Sequence, residues 1–240
     1  MKAITFLDSF ARIEKPVFNI EDAIRIINKP RAYVALYLHR LEKQGLIKRI
    51  EKGKYALRGV NPFVIASNVV FPSYISLWMA FHLHHLTTQL PLIIQVITPK
   101  QKKSLKFDDC DVKFIKLAPN RIFGYKKERA GLGYMFIAEK EKAIVDSLYL
   151  YEGPDFDDIR NGLQDCDIKK LEEYALRMKS KALIQRLGYM LELEKIPIPE
   201  SFKKLAYNKT ILLHPNMPKT GVKDKNWKII VNYRFDNYGH

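Results

Sequence analysis

Several side chains in this 240-residue chain have the types and spacing to do chemistry. His82-x-His84-His85 offers three imidazoles, and neutral imidazole is the commonest metal ligand. On a helix, residues 82 and 85 share a face but 84 does not, and no further ligand of suitable type lies nearby. Asp108, Asp109 and Asp111-Val112-Lys113 have the Asp-x-Lys order of a nuclease-like strand. No upstream acid is in reach to complete a Mg²⁺ site, because the 56 residues from Lys52 to Phe107 hold no Asp or Glu. A surface turn accounts better for these aspartates. Glu139-Lys140-Glu141-Lys142 reads as a solvated helix start. Cys166 lies between Asp165 and Asp167, whose charges disfavour the thiolate that a nucleophile needs. Phosphate-cradling glycine loops, nucleophile elbows and H-E-x-x-H helices are missing from the sequence. The chain therefore reads as a non-enzyme that needs no metal or cofactor.

The charge says more than these motifs. Lys and Arg number 41 against 26 Asp and Glu, a net charge of +15. Residues 1–60 carry +7, residues 61–129 carry +6, and residues 130–240 only +2. A basic excess concentrated in the first half points to a polyanion, nucleic acid first, or to no more than a basic, soluble surface. At 47% hydrophobic and 28% charged residues the composition is that of a globular protein. Two cysteines, Cys110 and Cys166, exclude a disulfide framework. Phe6 and Leu7 are followed at once by Asp8, Arg12 and Glu14, so no signal peptide is read there. Val60–Pro99 lacks formal charge apart from histidine but is cut by Pro72 and Pro91 and dotted with polar residues, unlike a membrane span. The expectation is a soluble cytoplasmic protein without a membrane partner.

Ile4, Phe6, Leu7, Phe10 and Ile13 recur near helical spacing, and Pro16 stops that helix. Val17–Ile20 reads as extended. Asn19 is placed to cap a helix over Glu21–Ile27, with Glu21 and Asp22 in its first turn. Pro30 suits the first turn of a third helix that runs to Gln44 and stops at Gly45. Leu46–Ile50 and Lys54–Leu57 read as strands around a turn at Gly53. Three helices followed by a basic hairpin is the order of a winged helix-turn-helix. Val34, Leu38 and Leu41 share the core side of the third helix. Arg31, Ala32, Leu36, His39, Arg40 and Lys43 lie broadly away from it, where they could enter a major groove. Arg49, Lys52 and Lys54 sit on or near the wing tip, in reach of phosphates. Leu36 and Tyr33 are equally open to core or dimer contacts.

Residues 58–72 read as a linker, and Ser73 as the cap of a helix to about Leu86 with Ile75, Trp78, Met79 and His82 on one apolar face. Leu92–Thr98, Val112–Leu117 and Gly133–Ala138 read as strands. Helices follow at about 139–151, 155–164, 168–178 and 180–194, then strands at Ile211–Leu213 and Trp227–Asn232. The fold class is α+β or mixed α/β: a winged helix-turn-helix over 1–60 and a larger mixed domain over 61–240. The cations Lys100, Lys102, Lys103 and Lys106, with Lys126, Lys127 and Arg129 further on, could extend a DNA footprint, contact RNA, dock an acidic partner or stand solvated.

Together these pieces resemble the AbiEi-type antitoxins of type IV toxin–antitoxin systems. Beyond the winged helix, Tyr74 to Pro91 is similar to the family's "YxSLxSAxxxHGLTxQxP" segment. Arg121-Ile122-Phe123-Gly124 matches its Phe-Gly step, and Phe136 to Asp146 is similar to its "IAxxEKAxxD" junction. Arg186-Leu187-Gly188-Tyr189-Met190-Leu191 resembles its "RLGYLLE" helix. Leu213-His214-Pro215, Pro218, Gly221 and Trp227–Asn232 resemble its last strand. His85 stands where the family usually has Gly, and Glu139 where a small capping residue or Asp is common, which puts that turn and that cap in question.

The resemblance implies a two-part role and no catalytic residue. The winged helix would bind inverted repeats in double-stranded DNA upstream of its own operon and repress it. The second domain would counteract a co-encoded nucleotidyltransferase toxin, without a stable complex. The free protein would be a monomer or homodimer that pairs on DNA, since one winged helix reads few bases. The main rival is a winged-helix regulator whose second domain senses a small ligand. A further rival is a nucleic-acid-processing enzyme whose acids assemble from distant segments.

Overall fold

The computed structural model describes residues 1–205 and 209–235. The chain forms two compact units assembled from interleaved segments. The first takes residues 1–75, 92–117 and 126–137, so residues 1–60 are part of a larger unit. It begins with α1 (Ala3–Arg12), β1 (Val17–Asn19), α2 (Ile20–Ile27), α3 (Arg31–Lys43), β2 (Ile47–Glu51) and β3 (Lys54–Leu57). α4 (Pro62–Asn68), β4 (Tyr74–Ile75), β5 (Ile93–Thr98), β6 (Leu105–Phe107), β7 (Cys110–Lys116), β8 (Tyr125–Ala130) and β9 (Gly133–Ala138) follow.

The start of α2 is fixed by a reciprocal cap. The Asn19 side chain accepts from the Asp22 amide at 2.8 Å, and Asp22 accepts from the Asn19 amide at 3.0 Å. Pro30 precedes the first turn of α3 rather than lying in it. Gly45 and Gly53 adopt φ +69° and +76°, the left-handed turns that release α3 into the wing and close the wing's hairpin. The wing sheet has the order β1-β3-β2, antiparallel throughout, with a bulge between Arg49 and Glu51. Phe10 stacks on Phe18 at 4.0 Å, Phe6 meets both edge-on, and Val34, Leu38 and Leu41 of α3 are buried with them.

The linker read over 58–72 instead contains the helix α4. Asn61 accepts from the Phe63 amide at 2.8 Å, Pro62 takes the first helical position, and Val64, Ile65, Ala66 and Ser67 are buried. A capping Asn before Pro is a helix start. Ser73 does not cap a helix either. Its hydroxyl donates to the carbonyls of Ser67 and Val70, and Tyr74–Ile75 is the strand β4. β4 then serves a six-stranded mixed sheet of order β6-β7-β5-β4-β9-β8. β5 runs parallel to β7, β4 antiparallel to β5 and parallel to β9.

The second unit holds residues 76–91, 118–125 and 138 onward. Its elements are α5 (Leu77–Leu83), a 3-10 turn (Pro119–Arg121), α6 (Lys140–Leu150), α7 (Phe156–Leu163), α8 (Ile168–Arg177), α9 (Lys181–Leu193) and α10 (Glu200–Leu205). A small mixed sheet of β10 (Ile211–Leu212), β11 (Val222–Asp224) and β12 (Ile229–Val231) has the order β10-β12-β11.

The resemblance segments of this unit are architectural. Lys142 and Asp146 form a fully buried ion pair one turn apart on α6. Asp146 also accepts from Ser76 at 3.0 Å, and the Lys142 ammonium lies 4.6 Å from the Phe123 ring centre. Glu141 accepts from the Asp167 amide at 2.9 Å. Arg186 donates to the carbonyls of Leu212 and Leu213, and a Cβ on Gly188 would run into the Trp227 ring. His85 adopts φ +59°, the left-handed turn the family's glycine would take. Glu139 precedes α6 without a side-chain cap and accepts instead from Tyr174 at 2.5 Å.

Candidate nucleic-acid interface

α3 presents two contrasting faces. Val34, Leu38 and Leu41 are buried, while Arg31, Ala32, Tyr33, Ala35, Leu36, His39, Arg40 and Lys43 are exposed. Helical spacing makes this division, since 34, 38 and 41 fall on one stripe and Leu36 and Lys43 point the opposite way. Tyr33 and Leu36 are each 50% exposed, so neither serves the core of this unit.

The cations of this face differ in what they hold. Arg31 is drawn back to Glu21 on α2. His39, Arg40 and Lys43 make no side-chain hydrogen bond or ion pair among the described residues. The wing shows the same split. Arg49 and Lys52 are exposed and unengaged among those residues. Lys54 instead donates to the Val69 carbonyl and pairs with Glu51 at 3.0 Å.

Glu51 is the wing's own acid, and it is doubly held. Lys102 reaches it at 2.6 Å with its side chain only 14% exposed. Burial pushes the Glu51 carboxyl up, but the hydrogen bonds and charges of Lys102 and Lys54 outweigh it and hold the group below the usual carboxylate range. Lys48 of β2 pairs with Asp108 in the turn after β6 and lies 6.0 Å from the Phe107 ring centre. The 100–108 segment is thus fastened to the wing at two points. Glu51, Lys48 and Asp108 were missed as contributors, because an acid on a basic hairpin and an aspartate in a distant turn give no local signal of pairing.

The second group of cations is split between the two edges of one sheet. Lys106 lies on β6, where it pairs with Asp111 at 3.5 Å, and Lys100, Lys102 and Lys103 precede that strand. Lys126, Lys127 and Arg129 lie on β8 at the opposite edge. Five strand spacings of about 4.8 Å separate the edges, roughly 24 Å, so they form no single patch. On β8, Lys126 pairs with Glu128 at 3.0 Å and Arg129 with Glu14 at 3.3 Å, while Lys127 lies 3.8 Å from the Tyr134 ring centre. Charges on an edge strand also guard its unpaired backbone against another chain. Lys100 and Lys103 have no side-chain partner among the described residues.

The other chemical candidates stay apart. No group of three or more His, Cys, Asp or Glu that could hold a metal ion occurs among the described residues. His84 Nε2 lies 2.7 Å from the Ala138 carbonyl. Burial, then Glu141, pushes the Cys166 thiol up to about 12, with Asp165 and Asp167 adding to the shift. No helix among the described residues is long and apolar enough to cross a membrane.

Residues 6–58, which span α1 to the end of the wing, match the family described as transcriptional regulator, AbiEi antitoxin. The crystal structure of the RV2827C protein from Mycobacterium tuberculosis is similar over 94% of this chain and 90% of that chain, with a TM-score of 0.59 at 15% identity. At that identity the likeness shows the fold alone. No curated protein matches the sequence.

Proposed function

We propose that this protein is a DNA-binding antitoxin that represses its own operon, with α3 in the major groove and the wing on the phosphate backbone. The observation that carries this reading is the outward face of α3 and the wing. There Arg40, Lys43, Arg49 and Lys52 stand exposed and unengaged within the segment that matches the antitoxin regulator family. Unneutralised cations on a helix and an adjacent hairpin suit the two flanks of a DNA groove. Lys100 and Lys103 extend the footprint beyond the wing, since the segment that bears them is fastened to it by Lys102. Two copies on paired half-sites supply the sequence length that one module cannot read. Residues 1–60 do the reading, and residues 61–240 oppose a co-encoded nucleotidyltransferase toxin. The protein acts in the cytoplasm as a non-enzyme without a cofactor.

The ligand-sensing alternative draws little support from the acidic cavity of the second unit. A cavity of about 380 Å³ there is lined by His85, Thr87, Asp155, Asp157, Asp158 and Asn161, among others. That lining is polar and acidic, unlike the mainly apolar wall of a small-molecule site.

Two experiments test the proposal on the full chain. A gel shift on the DNA upstream of its own gene should show specific binding that falls steeply with salt. Binding unchanged from low to moderate salt would count against the groove-and-wing reading. Co-expression with the neighbouring gene should restore growth if that gene is toxic. A toxic, well-expressed neighbour that this protein does not relieve would remove the antitoxin half and leave a regulator.

A further inference from the structure

We infer that α3 reads thymine methyl groups, with Leu36 as the specificity-determining residue; this rests on the DNA-binding role proposed above. The outward face of α3 changes character along its length. Its first half offers Ala32, Tyr33, Ala35 and Leu36, all exposed, and its second half His39, Arg40 and Lys43. Leu36 stands opposite the buried stripe of Val34, Leu38 and Leu41, half exposed. Arg31 is the guanidinium of the first two turns, and Glu21 holds it.

Those placements decide what the helix can read. The N-terminal part of a recognition helix meets base edges. Guanine is recognised there by a free guanidinium or ammonium, and adenine by a carboxamide. The first two turns of α3 hold no carboxamide, and their one guanidinium, Arg31, is set about 140° around the helix from Leu36, on the side of Glu21. Beside the Tyr33 ring, what they offer around Leu36 is methyl and isobutyl surface, and the thymine C5-methyl is the apolar group that the major groove displays. The cations at the C-terminal end of α3 and on the wing match the phosphate flanks and would seat Leu36 between them. A protein partner would have to accept the same four cations around one leucine, which a duplex does by its nature.

The test uses full-length protein and duplexes selected by it from a random-sequence pool. Thymines in the enriched site are replaced one at a time by deoxyuridine, which removes only the C5-methyl. Wild type should lose about fourfold in affinity at the contacted thymine, the worth of one buried methyl. Leu36→Ala, at an exposed position, should melt like wild type and bind the two duplexes equally. The inference is overturned if the enriched site has no thymine at a fixed position. Equal binding of both duplexes by wild type, or retained discrimination in Leu36→Ala, overturns it as well. It falls too if Leu36→Ala changes the oligomeric state but not the thymine-to-deoxyuridine ratio, which makes Leu36 a dimer contact. A pool that yields no enriched site sinks the DNA-reading role itself, an outcome distinct from the others.

Discussion

On α3 and the wing, Arg40, Lys43, Arg49 and Lys52 stand in water and hold nothing among the described residues. In the second unit, Lys142 and Arg186 are buried, one paired with Asp146 and the other with two carbonyls. The same residue types therefore carry opposite duties. A buried charge is expensive to leave unpaired, so its partners fix the architecture around it. A solvated charge adds little to folding and stays free for a polyanion. Segments that look most like sequence signatures, such as Glu141-Lys142-Ala143 and Arg186-Leu187-Gly188, turn out to hold the fold, while the proposed interface is made of ordinary surface lysines and arginines.

The comparison breaks first at Lys142. Lys142→Met should destabilise the protein by about 3–5 kcal/mol, because the buried Asp146 carboxylate loses its counter-charge. Replacing both, Lys142→Met with Asp146→Leu, should recover most of that loss. Urea unfolding of the three proteins measures it. A single variant as stable as wild type would show that the pair is not what holds α6 in place.

Next comes Gly188, where a side chain meets the Trp227 ring. Gly188→Val should cost about 1–3 kcal/mol through overpacking, read from the same denaturation curves. Neither Lys142→Met nor Gly188→Val should alter the salt slope of DNA binding by the molecules that remain folded.

The interface variants should behave in the reverse way. Arg40→Ala with Lys43→Ala should leave stability within about 0.5 kcal/mol. The slope of log affinity against log salt should fall by about 1 for each phosphate that no longer meets a cation. Lys126→Thr with Lys127→Thr should leave DNA affinity unchanged and raise the tendency to aggregate, as exposure of the β8 edge requires. Light scattering and a binding titration separate these. Weaker binding by the β8 pair would move the footprint to the far edge of the sheet.

Much of the fold was legible in the residues. Asn19 with Asp22, Gly45 and Gly53 are local signals, and the helices and strands they delimit fall where their spacing put them. Helix α4 was missed although Asn61-Pro62 is a cap signal, because the loop-like residues around it outweighed a short apolar run. Strand β8 was hidden by Lys126-Lys127-Glu128-Arg129, which masks the alternation that marks a strand. The interleaving of the two units depends on β4, two residues long and paired on both sides, and no local pattern encodes such pairing. At the interface, the outward face of α3 followed from helical period alone. Which cations were already engaged did not, since Glu51, Glu21 and Asp108 reach across sequence gaps that only the fold closes.

The smallest expected effect tests whether the wing's clamp behaves like the buried pair or like a surface one. Glu51 lies between these extremes, partly buried and held by Lys102 and Lys54. Its carboxyl titrates below its ordinary range in the folded protein, so folding favours the charged form. The stability it contributes is then fully present above the unfolded value, near 4.5, and is lost as pH falls through the folded value. Glu51→Gln removes that contribution. At pH 7 wild type should exceed the variant by up to about 1 kcal/mol, the range for a partly exposed pair. The gap should close as pH falls from the unfolded value through the lower folded one. Chemical denaturation of both proteins at pH 7, 5 and 3.5 measures it. A gap that stays constant across the series would mean that the Glu51 side chain acts by packing, and that the 100–108 segment is fastened to the wing through Lys48 and Asp108 instead.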